Sequence, residues 1–285
     1  MGRPFPETAR TPLNWIIDNE QAFRLTAFFG SLTLFGLIEI LKPRRKSQPL
    51  KGYRWINNFS LIVINAFLLR VLIPGAAVYS GTLALQNHWG IFHFFNLPTE
   101  INILLSVLIL DLCIYWQHRL FHRIPLLWRL HRVHHIDPEI DISSSARFHS
   151  IEILLSMLIK MSLVLALGVH PAGVILFEVL LNTASNFNHA NMALSEKWDR
   201  WIKKLIVTPD MHRIHHSQTP KQTDSNFSFF LSIWDRIFNS YSEVTYTEND
   251  AIQLGLKEYL EKSDNRLDQM LINPFQNSRS QMPKR

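Results

Sequence analysis

The sequence predicts an all-α integral membrane protein, in which a bundle of four or five spanning or dipping helices carries a histidine-rich cap on the cytoplasmic side. Two observations predict this class. Hydrophobic residues make up 47% of the 285 residues and gather into runs that approach the roughly 17–25 residues needed to cross a bilayer as a helix. In addition, 11 of the 13 histidines lie between His118 and His216, after the third run.

Five apolar runs define the bundle. Each contains or borders a polar residue, so any one of them alone would fit either a membrane span or a buried helix of a soluble all-α enzyme. Together they favour the membrane protein. The last two form a helical hairpin around a Val-His-Pro turn, short enough to dip into the bilayer. The runs are Leu25–Ile38, Phe59–Tyr79, Ile101–Trp116, Ile153–Gly168 and Ala172–Phe187.

Basic residues indicate how the bundle is oriented. The segment Leu41–Lys46, with the sequence LKPRRK, follows the first run, and four arginines between Arg119 and Arg132 follow the third. Cytoplasmic loops carry such an excess of basic residues, so the net charge of +6 is attributed to membrane topology and not to nucleic-acid binding. With Lys42–Arg54 in the cytoplasm, the segment Leu83–Glu100 lies on the far side or re-enters, and the histidines reach the cytoplasmic face.

Three short sequence motifs, which we call the histidine words, supply eight of the histidines: HRLFH (His118–His122), HRVHH (His131–His135) and HRIHH (His212–His216). Residues i, i+3 and i+4 of a helix share a face, so each word directs its histidines to one site, while the arginine inside each of the last two words points away and anchors the cap. Eight imidazoles exceed what one ion accepts, so we expect two metal ions close together. Imidazole suits iron, zinc, copper and nickel, and the lone Cys113 excludes a cysteine-based zinc site.

A ninth histidine, His189, ends a polar stripe in the last apolar run. Such stripes inside membrane helices face a cavity or a partner, which favours His189 as a further ligand. His149 is a less certain candidate, because it fits a ligand, a group that orients a ligand, or a plain polar residue equally well. The stripe comprises Glu178, Asn182, Ser185 and His189, at positions i, i+4, i+7 and i+11.

Three polar residues are candidates to orient the ligand imidazoles from behind, as carboxylates and amides do in many metal sites. Asp111 begins a second polar stripe that continues to the first histidine word, and a helix-packing hydrogen bond is the alternative role for it. Asn182 and Asn226 are the other two. Lys160 and Glu178 lie at similar distances from the hairpin turn, so we expect them to pair with each other and to take no part in catalysis.

The donor set indicates the chemistry. All-nitrogen ligation leaves two metal ions able to take dioxygen or a bridging hydroxide, and a site beneath apolar helices can meet an acyl or sterol chain rising from the bilayer. An oxidative reaction implies iron, since zinc has no redox chemistry and supports only hydrolysis. A di-zinc hydrolase that uses a metal-bound hydroxide is therefore one alternative. A metal-transport or metal-storage protein is the other, and it would place ligands along a path across the bilayer.

The histidine words also resemble those of the fatty acid hydroxylase/sterol desaturase superfamily, the membrane-bound di-iron oxygenases. The resemblance covers residues 101–275. It rests on DLCIYWQHRLFHRIPLLWRLHRVHH, RFHSIE, NFNHAN, TPDMHRIHHSQTPKQTDSNF and WDRIF, and the nine-residue step from His122 to His131 is similar to that of the hydroxylase/sterol branch. The resemblance implies a di-metal catalytic domain at 101–275. The apolar runs before it predict an N-terminal transmembrane region at 1–100, and the composition of 276–285 predicts a flexible tail.

This resemblance implies a function and a ligand set. The chain would use dioxygen and two electrons to hydroxylate or desaturate a lipid, with two iron ions as cofactor and zinc as the alternative metal. A separate donor similar to cytochrome b5 or ferredoxin would supply the electrons, and the membrane would be the cell inner membrane or the endoplasmic reticulum. The lipid and the choice among hydroxylation, desaturation and cleavage stay open. The implied ligands are His118, His122, His131, His134, His135, His189, His212, His215 and His216.

The chain departs from the family pattern in two places. Near NFNHAN the family often has a second histidine four residues after the first, and this chain has Ala193 there instead, which leaves fewer ligands. After WDRIF the usual Gly-Thr is replaced by Asn239 and Ser240, a change that affects a turn more than the metals.

Overall fold

A computed structural model describes residues 12–46 and 50–277. The described residues form α-helices and short 3-10 turns with no β-strand, which confirms the predicted all-α class. The predicted tail, 276–285, lies outside the described residues except for Gln276 and Asn277. The N-terminal helices are α1 (Pro12–Asp18), α2 (Glu20–Leu41), α3 (Lys51–Leu72), α4 (Ala76–Asn87) and α5 (Ile91–Phe94). The central helices are α6 (Thr99–Arg123), α7 (Pro125–His135), α8 (Ser150–Leu167) and α9 (Pro171–His189).

The C-terminal part consists of short elements that cover one end of the bundle. Short 3-10 turns also occur at Ile142–Ala146, Lys262–Asn265 and Asn273–Phe275. The helices are α10 (Glu196–Ile202), α11 (Pro209–His215), α12 (Pro220–Thr223), α13 (Ile233–Ile237), α14 (Tyr246–Ala251) and α15 (Leu267–Ile272).

Within the described ranges, four helical segments are long and apolar enough to cross a membrane, in line with the predicted four or five. The helix α9 is not one of these four. It is buried along most of its length and packs against α2, α4 and α6, so it forms the centre of the bundle. The four segments are Glu20–Leu41, Lys51–Phe94, Thr99–Arg123 and Ser150–Leu167.

The second apolar run is divided between two helices. The helix α3 ends at Leu72 and α4 begins at Ala76, whereas the sequence indicated one continuous run over Phe59–Tyr79. Pro74 lies in the gap, where its missing N–H and its ring prevent a helix from continuing. The helix α4 then packs against α8 and α9, so the chain turns back onto the bundle after the break.

A close contact between two glycines fixes the corner at which α8 turns into α9. Gly168 ends α8 in the left-handed region with φ of 75°, and Gly90 has φ of 96°. A Cβ atom on Gly90 would overlap the backbone of Gly168. Asn102, near the start of α6, donates from Nδ2 to the Gly168 carbonyl at 2.9 Å. We call this the Gly168 end of the bundle.

Apolar packing and one ionic contact hold α8 against α9. Val164 and Val174 are fully buried in the apolar cluster that also includes Leu110 of α6. Lys160 donates to Glu178 at 2.7 Å, so the predicted pair is confirmed. Glu178 also accepts a contact of 2.9 Å from Arg24 of α2.

The helix α10 presents aromatic side chains to the outside of the cap. Trp198 and Trp201 are 62% and 59% exposed, and Leu205 just after the helix is 59% exposed. The ammonium of Lys204 lies 4.0 Å from the centre of the Trp201 ring. Exposed tryptophans next to lysines are typical of the membrane–water interface.

Candidate metal centre

The three histidine words lie on helices that meet at the end opposite Gly168, which we call the histidine end. HRLFH closes α6, and HRVHH forms the last turns of α7. Pro125 occupies the first turn of α7 directly after α6, a position that suits proline because its N–H would be unpaired there anyway. HRIHH lies in α11 and its final capping residue, and Thr208 caps the start of that helix by accepting from the Met211 N–H at 3.3 Å.

Nine histidines come together there in two groups, and they are the nine expected from the family pattern. Within each group the potential ligand nitrogens all lie within 4.8 Å of one another. Two adjacent groups match the two ions expected from the number of imidazoles. The first group is His118, His122, His131, His135 and His215. The second group is His134, His189, His212 and His216.

Several ring nitrogens inside these groups either face another ring nitrogen or have no hydrogen-bond partner among the described residues. Nε2 of His118 lies 3.0 Å from Nε2 of His131, and Nε2 of His212 lies 2.9 Å from Nε2 of His189. Other buried nitrogens have no hydrogen-bond partner among the described residues, which is costly for buried polar atoms. A pair of metal ions would satisfy these atoms, so the residues fit such a pair. The unpartnered nitrogens include both of His122 and the Nε2 atoms of His134, His135 and His215.

Burial keeps the histidines in the form that binds metals. Burial lowers the pKa of His131 to about 3. Burial, and then the neighbouring imidazoles, also hold the pKa values of His134, His135 and His216 well below 6.5. These rings are therefore neutral at physiological pH, and neutral imidazole is the metal ligand.

Five of the nine rings form a contact through Nδ1, the ring nitrogen that faces away from the middle of their histidine group. Such contacts fix the tautomer and the ring angle of a ligand. Three of the partners are backbone carbonyl oxygens and two are side chains. The contacts of Nδ1 are His118 to the Phe227 carbonyl (2.7 Å), His131 to Glu152 Oε1 (2.7 Å), His134 to the Arg147 carbonyl (3.2 Å), His189 to Ser144 Oγ (2.9 Å) and His215 to the Ser225 carbonyl (2.7 Å).

Sequence reasoning did not assign Glu152 and Ser144 to this role. Glu152 carried a signal, because it is an acidic residue at the start of an apolar helix and belongs to the RFHSIE word. Ser144 lies in a run of three serines that bears no such mark. Ser144 lies in the segment between α7 and α8, and Glu152 lies in the first turn of α8. Together with the Arg147 carbonyl they supply three of the five contacts, so this part of the chain contributes most to orienting the histidines.

The hydrogen bonds of the three residues expected to orient the imidazoles go to other groups of the described chain. Asp111 accepts from the Leu231 N–H at 3.1 Å and from Trp234 Nε1 at 2.7 Å, so it holds the WDRIF segment against α6. Asn182 donates to the carbonyl one turn before it on α9. Asn226 has φ of 52° and donates to the Met211 carbonyl at 3.1 Å, which shapes the turn after α12.

His149 is outside both histidine groups. Its Nδ1 accepts from the Ile151 N–H at 3.2 Å and caps α8, and its Nε2 lies 3.1 Å from the Leu271 carbonyl. Burial lowers its pKa as well. The structure therefore brings His149 to the start of α8 and not to the metal site.

The arginines inside the histidine words hold the cap together, as expected. Arg132 donates from Nε to Asn273 Oδ1 at 2.7 Å. Arg213 donates to Asp210 at 2.5 Å and to Asn249 at 2.6 Å. Both arginines lie on the faces of their helices away from the two histidine groups.

A cavity of about 270 Å³ adjoins the first histidine group. Its walls come mainly from α6, α8 and α9, and His118 and His131 stand at one end of it. From there it extends along α8 to Lys160, which lies eight residues, or about 12 Å of helix, from Glu152. Most of the lining is apolar, including Ile114, Phe121, Met157, Leu181 and Phe229.

Residues 103–240 match the family described as fatty acid hydroxylase. An alkylglycerol monooxygenase of Danio rerio is 28% identical over 170 residues, which are 59% of this chain and 36% of that protein. An ornithine lipid hydroxylase of Rhizobium tropici is 22% identical over 222 residues, 75% of this chain and 65% of that protein.

A very-long-chain aldehyde decarbonylase of Oryza sativa subsp. japonica is 30% identical over 180 residues, which are 60% of this chain and 28% of that protein. The chain thus spans about a third of the length of the alkylglycerol monooxygenases that it matches. No solved structure matches the chain significantly.

Proposed function

The chain belongs to the fatty acid hydroxylase family through residues 103–240, and on that premise we propose that it is a membrane-bound di-iron oxygenase that hydroxylates or desaturates a lipid. Two buried histidine groups lie side by side, and the first of them adjoins an apolar cavity between the helices. This observation carries the proposal. Relatives named as lipid hydroxylases and monooxygenases support an oxidative reaction.

Each histidine group would hold one metal ion. His118, His122, His131, His135 and His215 would bind the ion beside the cavity, and the group containing His134 would bind the other. We infer iron because an oxidation needs a metal with redox chemistry, which zinc lacks. Bound there, two iron ions would activate dioxygen and, with two electrons from a donor, oxidise a C–H bond of the lipid.

The protein contributes binding, orientation and the exclusion of water. His118 and His131 face the cavity, so a lipid chain that enters between α6, α8 and α9 reaches the first ion. Phe148 stacks on the His134 ring at 4.3 Å, and Phe229 lies 5.0 Å from the His118 ring. These two rings also line the cavity and keep water from the reacting end, which favours selective oxidation.

We also propose where the enzyme lies in the cell and which molecules it works with. The histidine end faces the cytoplasm, supported by the basic segment Leu41–Lys46 that lies beside it, and the membrane is the cell inner membrane or the endoplasmic reticulum. A cytoplasmic protein similar to cytochrome b5 or ferredoxin supplies the electrons. Dioxygen is the co-substrate, and a lipid of the surrounding bilayer is the substrate.

The arrangement of the ligands bears on the two alternative functions. Transport or storage would place ligands along a path through the bundle, whereas all nine lie at the histidine end. A di-zinc hydrolase uses the same ligand types, so only the identity of the metal and the need for oxygen distinguish it from the oxygenase.

The test is metal analysis of the protein purified in lipid nanodiscs, followed by turnover with a reductant in air and under nitrogen. We expect two iron ions per chain and lipid oxidation only in air. Two zinc ions together with activity under nitrogen would reject the oxygenase. Lipid profiles of cells with and without the gene, grown in oxygen, would identify the substrate.

A further inference from the structure

Exposed apolar side chains collect on one side of the cap, where α10 and α13 meet. The two helices are joined through the backbone, because the Ser232 N–H donates to the Leu205 carbonyl. An exposed apolar surface of this size marks a contact with a partner or with a membrane. We call it the α10–α13 face, and its members are Trp198, Trp201, Leu205, Ile233 and Ile237.

Two hydrogen bonds fix the start of α13 to the middle of α6. Asp111 accepts from the Leu231 N–H at 3.1 Å and from Trp234 Nε1 at 2.7 Å. Asp111 lies midway along the 25 residues of α6, a helix about 37 Å long. The hydrocarbon core of a bilayer is about 30 Å thick. The midpoint of a spanning α6 therefore falls inside the core, and the start of α13 lies at the same depth.

The other end of α13 packs against the part of α6 that approaches the membrane surface. Phe238 stacks on Tyr115 at 5.3 Å and contacts Trp116 at 4.9 Å. Arg119, one turn beyond Tyr115, donates to the Phe238 carbonyl at 3.2 Å. Trp116 and Leu120 are exposed on α6. The α10–α13 face thus continues the lipid-facing surface of a spanning helix, which argues for lipid as its occupant.

The backbone next to α13 meets the condition for lying in lipid. Non-helical backbone at membrane depth needs partners within the protein for its polar groups. The Ser232 N–H donates to the Leu205 carbonyl and the Val207 N–H to the Phe230 carbonyl, both at 3.0 Å. The Leu231 N–H is held by the carboxylate on α6. These groups therefore need no water, and the segment can enter the bilayer beside α6.

Basic residues lie next to the tryptophans of this face. The stretch from Glu196 to Lys204 carries four basic and two acidic residues. Lys197 and Lys204 are exposed, and the Lys204 ammonium lies 4.0 Å from the centre of the Trp201 ring. Lysine side chains reach from apolar surroundings to the head groups, and anionic lipids attract them there. The charge of this stretch therefore matches a bilayer surface that contains anionic lipids.

We propose that the α10–α13 face binds the membrane itself. Its five apolar side chains lie in the leaflet at the histidine end, and Lys197 and Lys204 bind the anionic head groups of phospholipids. The cap is thus held at the bilayer by α10 and α13 as well as by the spanning helices. This inference concerns the outer surface of the chain, so it holds whichever metal and reaction the histidines support.

Spin labels at single cysteines test where this face lies. The whole chain, in a Cys113→Ser background, is reconstituted in nanodiscs with Trp201→Cys or Ile237→Cys carrying a nitroxide. Power saturation measures collisions of the nitroxide with oxygen, which concentrates in lipid, and with chromium oxalate, which stays in water. We expect both labels to collide more with oxygen, because the side chains that they replace lie in lipid.

Two reference positions calibrate this measurement. Val63→Cys, at an exposed residue of the spanning segment, should favour oxygen. Thr247→Cys, at an exposed residue of α14 in the same cap, should favour chromium oxalate. A label at Trp201 or Ile237 that behaves as Thr247→Cys would place the face in water. A label that is shielded from both agents would mean that protein covers the face. Either result would overturn the proposal.

Quenching by brominated lipids tests the contribution of the head groups. Ile237→Cys carries a fluorophore in nanodiscs with equal amounts of phosphatidylcholine and phosphatidylglycerol, only one of which is brominated on its acyl chains. We expect stronger quenching when the anionic lipid is brominated. Lys204→Gln should reduce this preference by about fivefold, the contribution of one basic residue near a membrane surface.

The matched control is Lys257→Gln, at an exposed lysine after α14, and it should keep the preference for the anionic lipid. Equal quenching by the two lipids in the Ile237→Cys chain would overturn the binding of anionic head groups, as would a preference that Lys204→Gln leaves unchanged. None of these measurements needs bound metal or turnover, so their failure is distinct from a failure of the proposed function.

Discussion

The hydroxyl of Ser144 lies 2.9 Å from Nδ1 of His189, so a residue of the loop between α7 and α8 orients a histidine of the second group. The rest of this loop acts in the same way, since the Arg147 carbonyl contacts His134. It is held in turn by a buried ionic network in which Arg54 of α3 contacts Asp137 at 2.5 Å and Asp141 at 2.8 Å. The helix α3 thus takes part in positioning the histidines.

Ser144→Ala tests the role of this loop. Removal of the hydroxyl leaves Nδ1 of His189 without its partner, and the loss of such an outer contact lowers metal affinity by about 10–100-fold. We expect a weaker second ion and an unchanged first ion, measured by competition with a chelator. Ser162→Ala, at an exposed serine on α8 that bonds only within its own helix, is the control. Equal metal affinity in both variants would contradict the prediction.

His134→Ala removes one of the proposed ligands themselves, whereas Ser144→Ala removes a group that orients one. The second group then has three histidines left, so we expect loss of one metal ion per chain and loss of lipid oxidation. Metal analysis and a turnover assay measure the two effects. His88→Ala, at an exposed histidine of the Gly168 end, should leave both unchanged. Unchanged metal content and turnover in His134→Ala would remove this residue from the ligand set.

The meeting of the nine histidines could be predicted from the sequence, whereas most of the groups that orient them could not. The histidines repeat at i, i+3 and i+4, and that spacing has a geometric meaning on a helix. The carbonyl oxygens that hold His118 and His215 carry no signal, because every residue has a carbonyl group. Asp111 shows the opposite case: a polar stripe in a membrane helix indicates a partner, but the partner is the indole of Trp234 and not an imidazole.

Membrane spans were predictable in number but not in their boundaries. Apolar length gives the count, and the four candidate segments agree with it. The break between α3 and α4 depends on a single proline, Pro74, inside an otherwise continuous apolar run. The burial of α9 could not be predicted either, since its apolar residues suit a bilayer and a protein interior equally well.

Acid should destabilise the metal-free protein. The pKa of His131 is about 3 in the folded chain, below the usual value near 6.5 of an unfolded chain. The unfolded state therefore binds more protons between these two values, and stability falls as the pH decreases through that range. The stabilising contribution is fully present above pH ~6.5 and lost towards pH ~3.

The measurement is the thermal unfolding temperature of chelator-treated protein between pH 7.5 and 5.5. The buried His134, His135 and His216 act in the same direction, so the decrease should be large. An unfolding temperature that rises or stays constant on acidification would contradict the prediction. The metal-loaded protein provides the comparison, because bound metal opposes protonation of its ligands.

Gly90→Ala should destabilise the corner at the Gly168 end. An alanine there has a Cβ that overlaps the backbone of Gly168, and its φ of 96° is unfavourable for any residue with a side chain. We expect a clear drop in unfolding temperature. The matched control is Gly30→Ala, since a Cβ on Gly30 meets no atom within 4 Å and alanine favours the helix. Equal stability of the two variants would be evidence against the glycine contact.

The orientation of the bundle can be tested with single cysteines. Lys221 is exposed at the histidine end, and Glu100 is exposed near the Gly168 end. In a Cys113→Ser background, Lys221→Cys should react with a membrane-impermeant maleimide only after the cytoplasmic side is opened, whereas Glu100→Cys should react in intact cells. The reason is the basic segment next to the histidines, which the positive-inside rule places in the cytoplasm. The reverse labelling pattern would place the metal centre on the outer side and would exclude a cytoplasmic electron donor.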